Sequence, residues 1–251
     1  KLLEDFSIFA GTVCISVDGT GCFFSDKIRC ECCLEKRHKS TNEKSYYHHM
    51  LCGAIVHPNK NTVIPLCPEP ISAQDGQTKN DCEQNAMKRF LIKFREDHPK
   101  LKVILLVDAL HSTEPILSLL EKLSIDFVMA VKPGSHPKLF EAVDQRESTR
   151  EVHHFEEVFT VGVNIKKTKT CHYRFTNSIL LNHQSTRQSV NFLEYWETLQ
   201  WVDQWGTLQE ERKHFSWATN YSLYNSSCKQ ICTVGRTRWK IENENNNTLK
   251  N

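Results

Sequence analysis

No apolar run in these 251 residues is long enough to cross a bilayer, which takes about 20 residues. The longest runs, such as Val103–Val107 and Phe127–Val131, have the length of a strand. The opening residues, Lys1-Leu2-Leu3-Glu4-Asp5, lack the apolar core of a secretory signal. A surplus of one charge is missing too: the formal net charge is +2. Bulk charge therefore does not announce a nucleic-acid binder, although a DNA enzyme can gather its Lys and Arg on one face. There is no internal repeat. Despite 11 Cys and 12 His, no nucleophile motif supports a thiol enzyme. An initiator Met is also absent, and the last residues run straight out of a helix-like stretch, so both ends read as truncated. What is present is a hydrophobic content of 39%, enough for one large domain or a domain carrying an insertion.

An odd number of Cys would leave one unpaired in a disulfide scaffold. Cys14, Cys52 and Cys67 sit in apolar segments, where a free thiol behaves as a small hydrophobe. Without an export signal, reduced thiols in a cytosol are the expectation. Cys30-x-x-Cys33 has the spacing of half a zinc site, and His38 and His48 are candidates for the rest. The competing reading is incidental thiols with His48 packed in a sheet. No second C-x-x-C decides between them.

Along the chain, Val13–Val17 reads as a buried strand ending in a turn at Asp18-Gly19-Thr20-Gly21. Tyr46–His57 and Thr62–Leu66 complete an expected antiparallel meander. Asp81 is the expected cap of a helix whose amphipathic part is Asn85–Phe94. Leu101–Val107 is nearly all apolar, as a strand covered on both faces must be. Ser112 or Thr113 should cap the next helix, with Pro115 in its first turn. Phe127–Val131 is another buried strand, and His136–Val143 a short helix. Val152–Val163, His172–Leu181 and Val190–Val202 suggest an all-β insertion. His214–Asn220 reads as a return strand and 226–251 as mostly helix. Three antiparallel strands followed by α/β units is the layout of an α/β, RNase H-like mixed sheet flanked by helices. The expected division is a catalytic core over 1–144, a β-rich insertion over 145–213 before the last catalytic helix, and the core's last strand and Glu-bearing helix over 214–251, C-terminally truncated.

Asp18 and Asp108 each follow an apolar strand, and ligands gather beyond strand carboxyl ends in open α/β sheets. Two Asp there could share divalent ions, and hard oxygen donors select Mg2+ or Mn2+ over Zn2+. Each could equally be a turn residue or helix cap. Near the end, Arg238 precedes Glu242 by four residues, which on a helix sets both on one face. A plain exposed ion pair has the same spacing. Glu244 is a competing acid.

Several stretches, in order, resemble the DDE transposases of bacterial insertion sequences, in the subgroup with a Y-x-x-R-x-x-x-E-x-x-x-x-x-x-K signature. They are Val17-Asp18-Gly19-Thr20-Gly21, Tyr46-Tyr47-His48, Val63-Ile64-Pro65-Leu66-Cys67-Pro68-Glu69-Pro70, Lys79-Asn80-Asp81-Cys82-Glu83, Val131-Lys132-Pro133-Gly134 and Arg238-Trp239-Lys240-Ile241-Glu242-Asn243-Glu244. The resemblance implies metal-dependent strand cleavage and strand transfer at transposon ends. It implies Asp18, Asp108 and Glu242 as the catalytic, metal-holding acids on a two-metal Mg2+ or Mn2+ site. Arg238 is the signature's Arg. DNA contacts are expected from Arg238, Arg236, Lys132 and Lys250. The implied partners are double-stranded DNA (transposon ends and target) and a second copy on that DNA, with no membrane, in a bacterial cytoplasm and at the nucleoid when bound. Two positions depart from the signature: Gly235 stands for its Tyr and Leu249 for its Lys, with Lys250 one residue later. Asn246 also stands where an apolar or aromatic residue is expected. A catalytically impaired DNA-binding remnant, or an RNase H-like nuclease without strand transfer, are the alternatives.

Overall fold

The computed structural model describes residues 2–9, 11–38, 40, 42–72, 82–162, 165–181 and 189–247. The chain is mixed α/β. It divides into two compact units, residues 1–126 with 236–251, and Phe127–Gly235. The boundaries expected at 144 and 213 fall inside the second unit, within a helix and within a strand.

The first unit holds α1 (Leu2–Asp5), β1 (Val13–Ser25), β2 (Leu34–Arg37), β3 (Lys44–Val56), β4 (Ile64–Pro65), β5 (Glu69–Ile71), α2 (Glu83–Asp97), β6 (Val103–Val107) and α3 (Glu114–Leu123). Its sheet is mixed. β1 pairs antiparallel with β3 and parallel with β6. β2, β4 and β5 all pair with β3. All five residues of β6 are buried, as a strand ladder covered on both faces requires. α2 turns Ala86, Met87, Phe90, Leu91 and Phe94 inward, a helical spacing that seats one apolar stripe on the sheet.

Three local expectations are corrected. The turn placed at 18–21 is strand: β1 runs through it to Ser25 because β3 supplies a continuous ladder, with Asp18 opposite Cys52. The register breaks only between Gly21 and Phe23, where Cys22 forms a bulge. The third strand expected over Thr62–Leu66 shrinks to two residues, since Pro65 cannot donate to a ladder. α2 begins behind Cys82; Asp81, its expected cap, lies outside the described residues. β2 was not foreseen, because only Leu34 of its four residues is buried and no alternation marks it.

The second unit holds β7 (Asp126–Ala130), α4 (Pro137–Ser148), β8 (His153–Val161), β9 (Lys167–Leu180), β10 (Ser189–Val202), β11 (Leu208–Thr219) and α5 (Asn225–Arg236). Its strands form one antiparallel sheet in the order β7-β11-β10-β9-β8. The expected return strand at 214 is the second half of the longer β11. β11 is locked to β7 by side chains: Thr219 Oγ1 donates to the Phe127 carbonyl at 2.7 Å, and Ser216 Oγ to that of Val131 at 2.7 Å.

Candidate active site

The parallel pairing of β1 and β6 sets the two Asp. The last pair of this ladder is Ser16 with Leu106, two residues before Asp18 on β1 and two before Asp108 behind β6, and the charge of Asp108 reaches Asp18. Asp108 follows the last residue of β6. One carboxylate oxygen accepts the Leu110 N–H at 3.0 Å, which is the bond a turn residue makes. Asp18 lies on the same strand face as Ser16, and Ser16 Oγ donates to the Arg238 carbonyl at 2.9 Å. That face is where the C-terminal segment lies.

Behind Arg236 the chain tightens into a 3-10 turn (Thr237–Trp239) and then widens into a π-helical stretch (Ile241–Asn246). Widened turns of this kind recur at functional sites. Glu242 is half-buried and pairs with Arg238 at 2.9 Å. The guanidinium also lies 4.7 Å from the Trp239 ring centre. Glu244 is exposed. The unforeseen participant is Asn246. It is buried, and its Nδ2 donates to Asp18 at 3.1 Å while Asn245 donates to its Oδ1 at 3.1 Å. The polar residue that seemed to interrupt the helix's apolar face is a direct partner of the first Asp.

Burial pushes the Asp18 carboxyl up to about 6, and the charge of Glu242 adds to this; Arg238 opposes it, while Asp108 and Glu83 add further. Asp18 is thus electrostatically coupled to three other acids. Their oxygens form no closed cage: among the described residues, the one group of three donors all within 4.8 Å of each other lies elsewhere.

On the opposite face of β1 a second constellation was missed. Glu83, at the first turn of α2, stands 3.7 Å from His111 Nε2 and 3.8 Å from His49 Nδ1. The His111 imidazole, then the charge of His49, hold the Glu83 carboxyl below its usual range despite partial burial. Gly19 makes the space: a Cβ there would stand 2.5 Å from the Glu83 carboxylate. His111 is buried, and its Nδ1 has no hydrogen-bond partner among the described residues. Glu83 was visible only as part of a motif stretch, without a role. Nothing in the sequence tied the two His to it.

The other expected residues scatter. Cys30, Cys33 and His48 come together as the close donor group. His38 is not in that group; it bonds Ser45 at the turn end of the β2–β3 hairpin, where its backbone N–H donates to the Glu43 carbonyl. Arg236 is half-buried, and Lys132 is exposed behind β7 in the second unit. Lys250 lies outside the described residues. Gly235, at the signature's Tyr position, is there for packing. A Cβ on it would stand 2.4 Å from Trp217 Nε1, so the indole occupies the room a side chain would need. Against known proteins, no family model matches the chain and no curated protein is similar to it at a significant level.

Proposed function

We propose that the first unit carries a divalent-metal phosphoryl-transfer centre on an RNase H-like core, and that the chain is a DNA transposase of the DDE type. The observation that carries this reading is the convergence on Asp18. Asp108 directly follows the parallel strand β6, and the C-terminal segment, over 220 residues away, brings Asn246 into a hydrogen bond with Asp18 and Glu242 into its electrostatic reach.

The donor set fits a hard divalent cation. Carboxylate oxygens are its preferred ligands, and an acid pushed up to about 6 by burial and by other acids has too little positive charge around it. Asp18, Asp108 and Glu242 would hold Mg2+ or Mn2+, which would activate the attacking oxygen and stabilise the leaving one. The chain's own groups do the positioning. Asn246 fixes the Asp18 carboxylate through its amide. Arg238 pairs with Glu242 at 2.9 Å and partly neutralises it. Glu83, kept ionised by its two imidazoles, adds negative potential behind Gly19. Double-stranded DNA at element ends and targets is the substrate, and strand transfer between two ends calls for a dimer on DNA. No helix among the described residues is long and apolar enough to cross a membrane.

The test uses the full reading frame and DNA carrying the ends that flank it. Mg2+-dependent nicking should disappear in Asp18→Asn, Asp108→Asn and Glu242→Gln while Glu244→Gln retains it. Nicking that survives in the Asp variants would remove the assignment. A pre-cut end offered with target DNA then separates a transposase, which joins them, from a nuclease, which does not.

A further inference from the structure

Residues 26–32, between β1 and β2, are all exposed. A segment of seven residues without a core of its own has little to set against the entropy of ordering it. Yet it closes on one point. Cys30 Sγ lies 3.6 Å from Cys33 Sγ and 3.3 Å from His48 Nε2, and Cys33 Sγ lies 3.5 Å from the same nitrogen. With Zn–S near 2.3 Å and Zn–N near 2.0–2.1 Å, two thiolates and an imidazole on a tetrahedral ion stand roughly 3.5–3.8 Å apart. The two sulfurs are also well beyond the roughly 2.05 Å of a disulfide. The backbone adds a feature suited to thiolates: the Cys30 N–H donates to Cys33 Sγ at 3.2 Å, while the Cys33 N–H donates to the Cys30 carbonyl at 3.2 Å. A tight turn thus presents both sulfurs to one side.

We propose that Cys30, Cys33 and His48 bind one zinc ion that clamps this exposed turn to β3. The two thiols release their protons on binding, and the fourth position is left to water. Cys32, exposed on the same turn, and His38, turned to Ser45, are outside the ligand set. The clamp sits next to the candidate active site along the strand. His48 faces the zinc turn, and the next residue, His49, faces Glu83. The β1 bulge at Cys22, whose thiol meets the His48 carbonyl at 3.7 Å, lies opposite. A metal there pins β3 where its register with β1 breaks. It is a structural site, independent of whether the acids cut DNA.

The test is metal content of the full-length chain, purified reduced and without chelator. About one zinc per chain is expected, and cobalt(II) in its place should give thiolate-to-cobalt charge-transfer absorption. Cys30→Ser, Cys33→Ser and His48→Ala should each lower zinc content at least tenfold, while Cys32→Ser and His38→Ala keep it. Stripping zinc from the unaltered protein should raise amide exchange over 26–37 and leave β6 protected, a readout that does not depend on any variant folding. Absence of zinc, retention in the ligand variants, loss in His38→Ala or Cys32→Ser, a Cys30–Cys33 disulfide in the native protein, or loss of protection spreading to β6 would each overturn the proposal.

Discussion

The side-chain amide of Asn246 is where a single residue tells most. A hydrogen bond to a charged group contributes about 1.5–3 kcal/mol, and this one fixes the carboxylate that the proposed reaction relies on. Asn246→Leu restores the apolar residue expected in that helix. It should lower the cleavage rate roughly tenfold to a hundredfold with the DNA dissociation constant unchanged; an unaltered rate would leave Asn246 as packing only. The raised Asp18 pKa makes a second prediction. Its folded value is about 6 against an ordinary 3.8. Between those values the folded, metal-free protein keeps a proton that the unfolded chain has lost, so stability is highest below the lower value and falls as pH rises through the upper one. Chelator-treated Asp18→Asn should therefore gain stability over the parent as pH is raised from about 4 to about 7, measured by denaturant midpoints. A pH-independent gap would contradict the shift. Asp108 was legible because the apolar run stops at it. Asp18 was legible for the same reason, although the strand there does not stop. His49, His111, Glu83 and Asn246 were not, since a lone polar residue carries no periodic signal and its partner lies on another element.

At the scale of elements, strand alternation decided what spacing could not. His48 and His49 are neighbours in sequence but point to opposite faces of β3, one to the Cys30–Cys33 turn and one to Glu83. Spacing alone made His38 as good a ligand as His48. Buried runs such as Val103–Val107 announced themselves, as did the β-branched and aromatic stretches that became β8, β9 and β10. Lengths were harder, because β1 and β11 extend through polar residues that only a paired neighbour keeps in strand. α5 carries the clearest packing prediction. Gly235 is buried against Trp217, so Gly235→Ala must move an indole inside a packed layer. Overpacking of this kind costs about 1–3 kcal/mol, despite the better helix propensity of Ala. Chemical denaturation should show that loss, and a neutral or stabilised variant would mean the indole moves freely. The same contact leaves no room at this position for a side chain as large as Tyr.

For the whole molecule, the order of elements in the first unit was readable, and the compact units follow strand pairing. The second unit takes in β7 and α4 as well as the β-rich stretch that follows 145, and α5 behind it. Sequence composition changes near 145, but compactness follows pairing, and β7 pairs with β11. The three acids come from the two ends of the chain and its middle, so their assembly depends on the first unit closing around β1 and β6. That assembly is the central claim, and manganese binding tests it without any DNA. Full-length protein titrated with Mn2+ and followed by electron paramagnetic resonance should bind the ion, and binding should weaken at least tenfold in each of Asp18→Asn, Asp108→Asn and Glu242→Gln but not in Cys30→Ser. Mn2+ affinity unchanged across the three acid variants would contradict a shared metal centre.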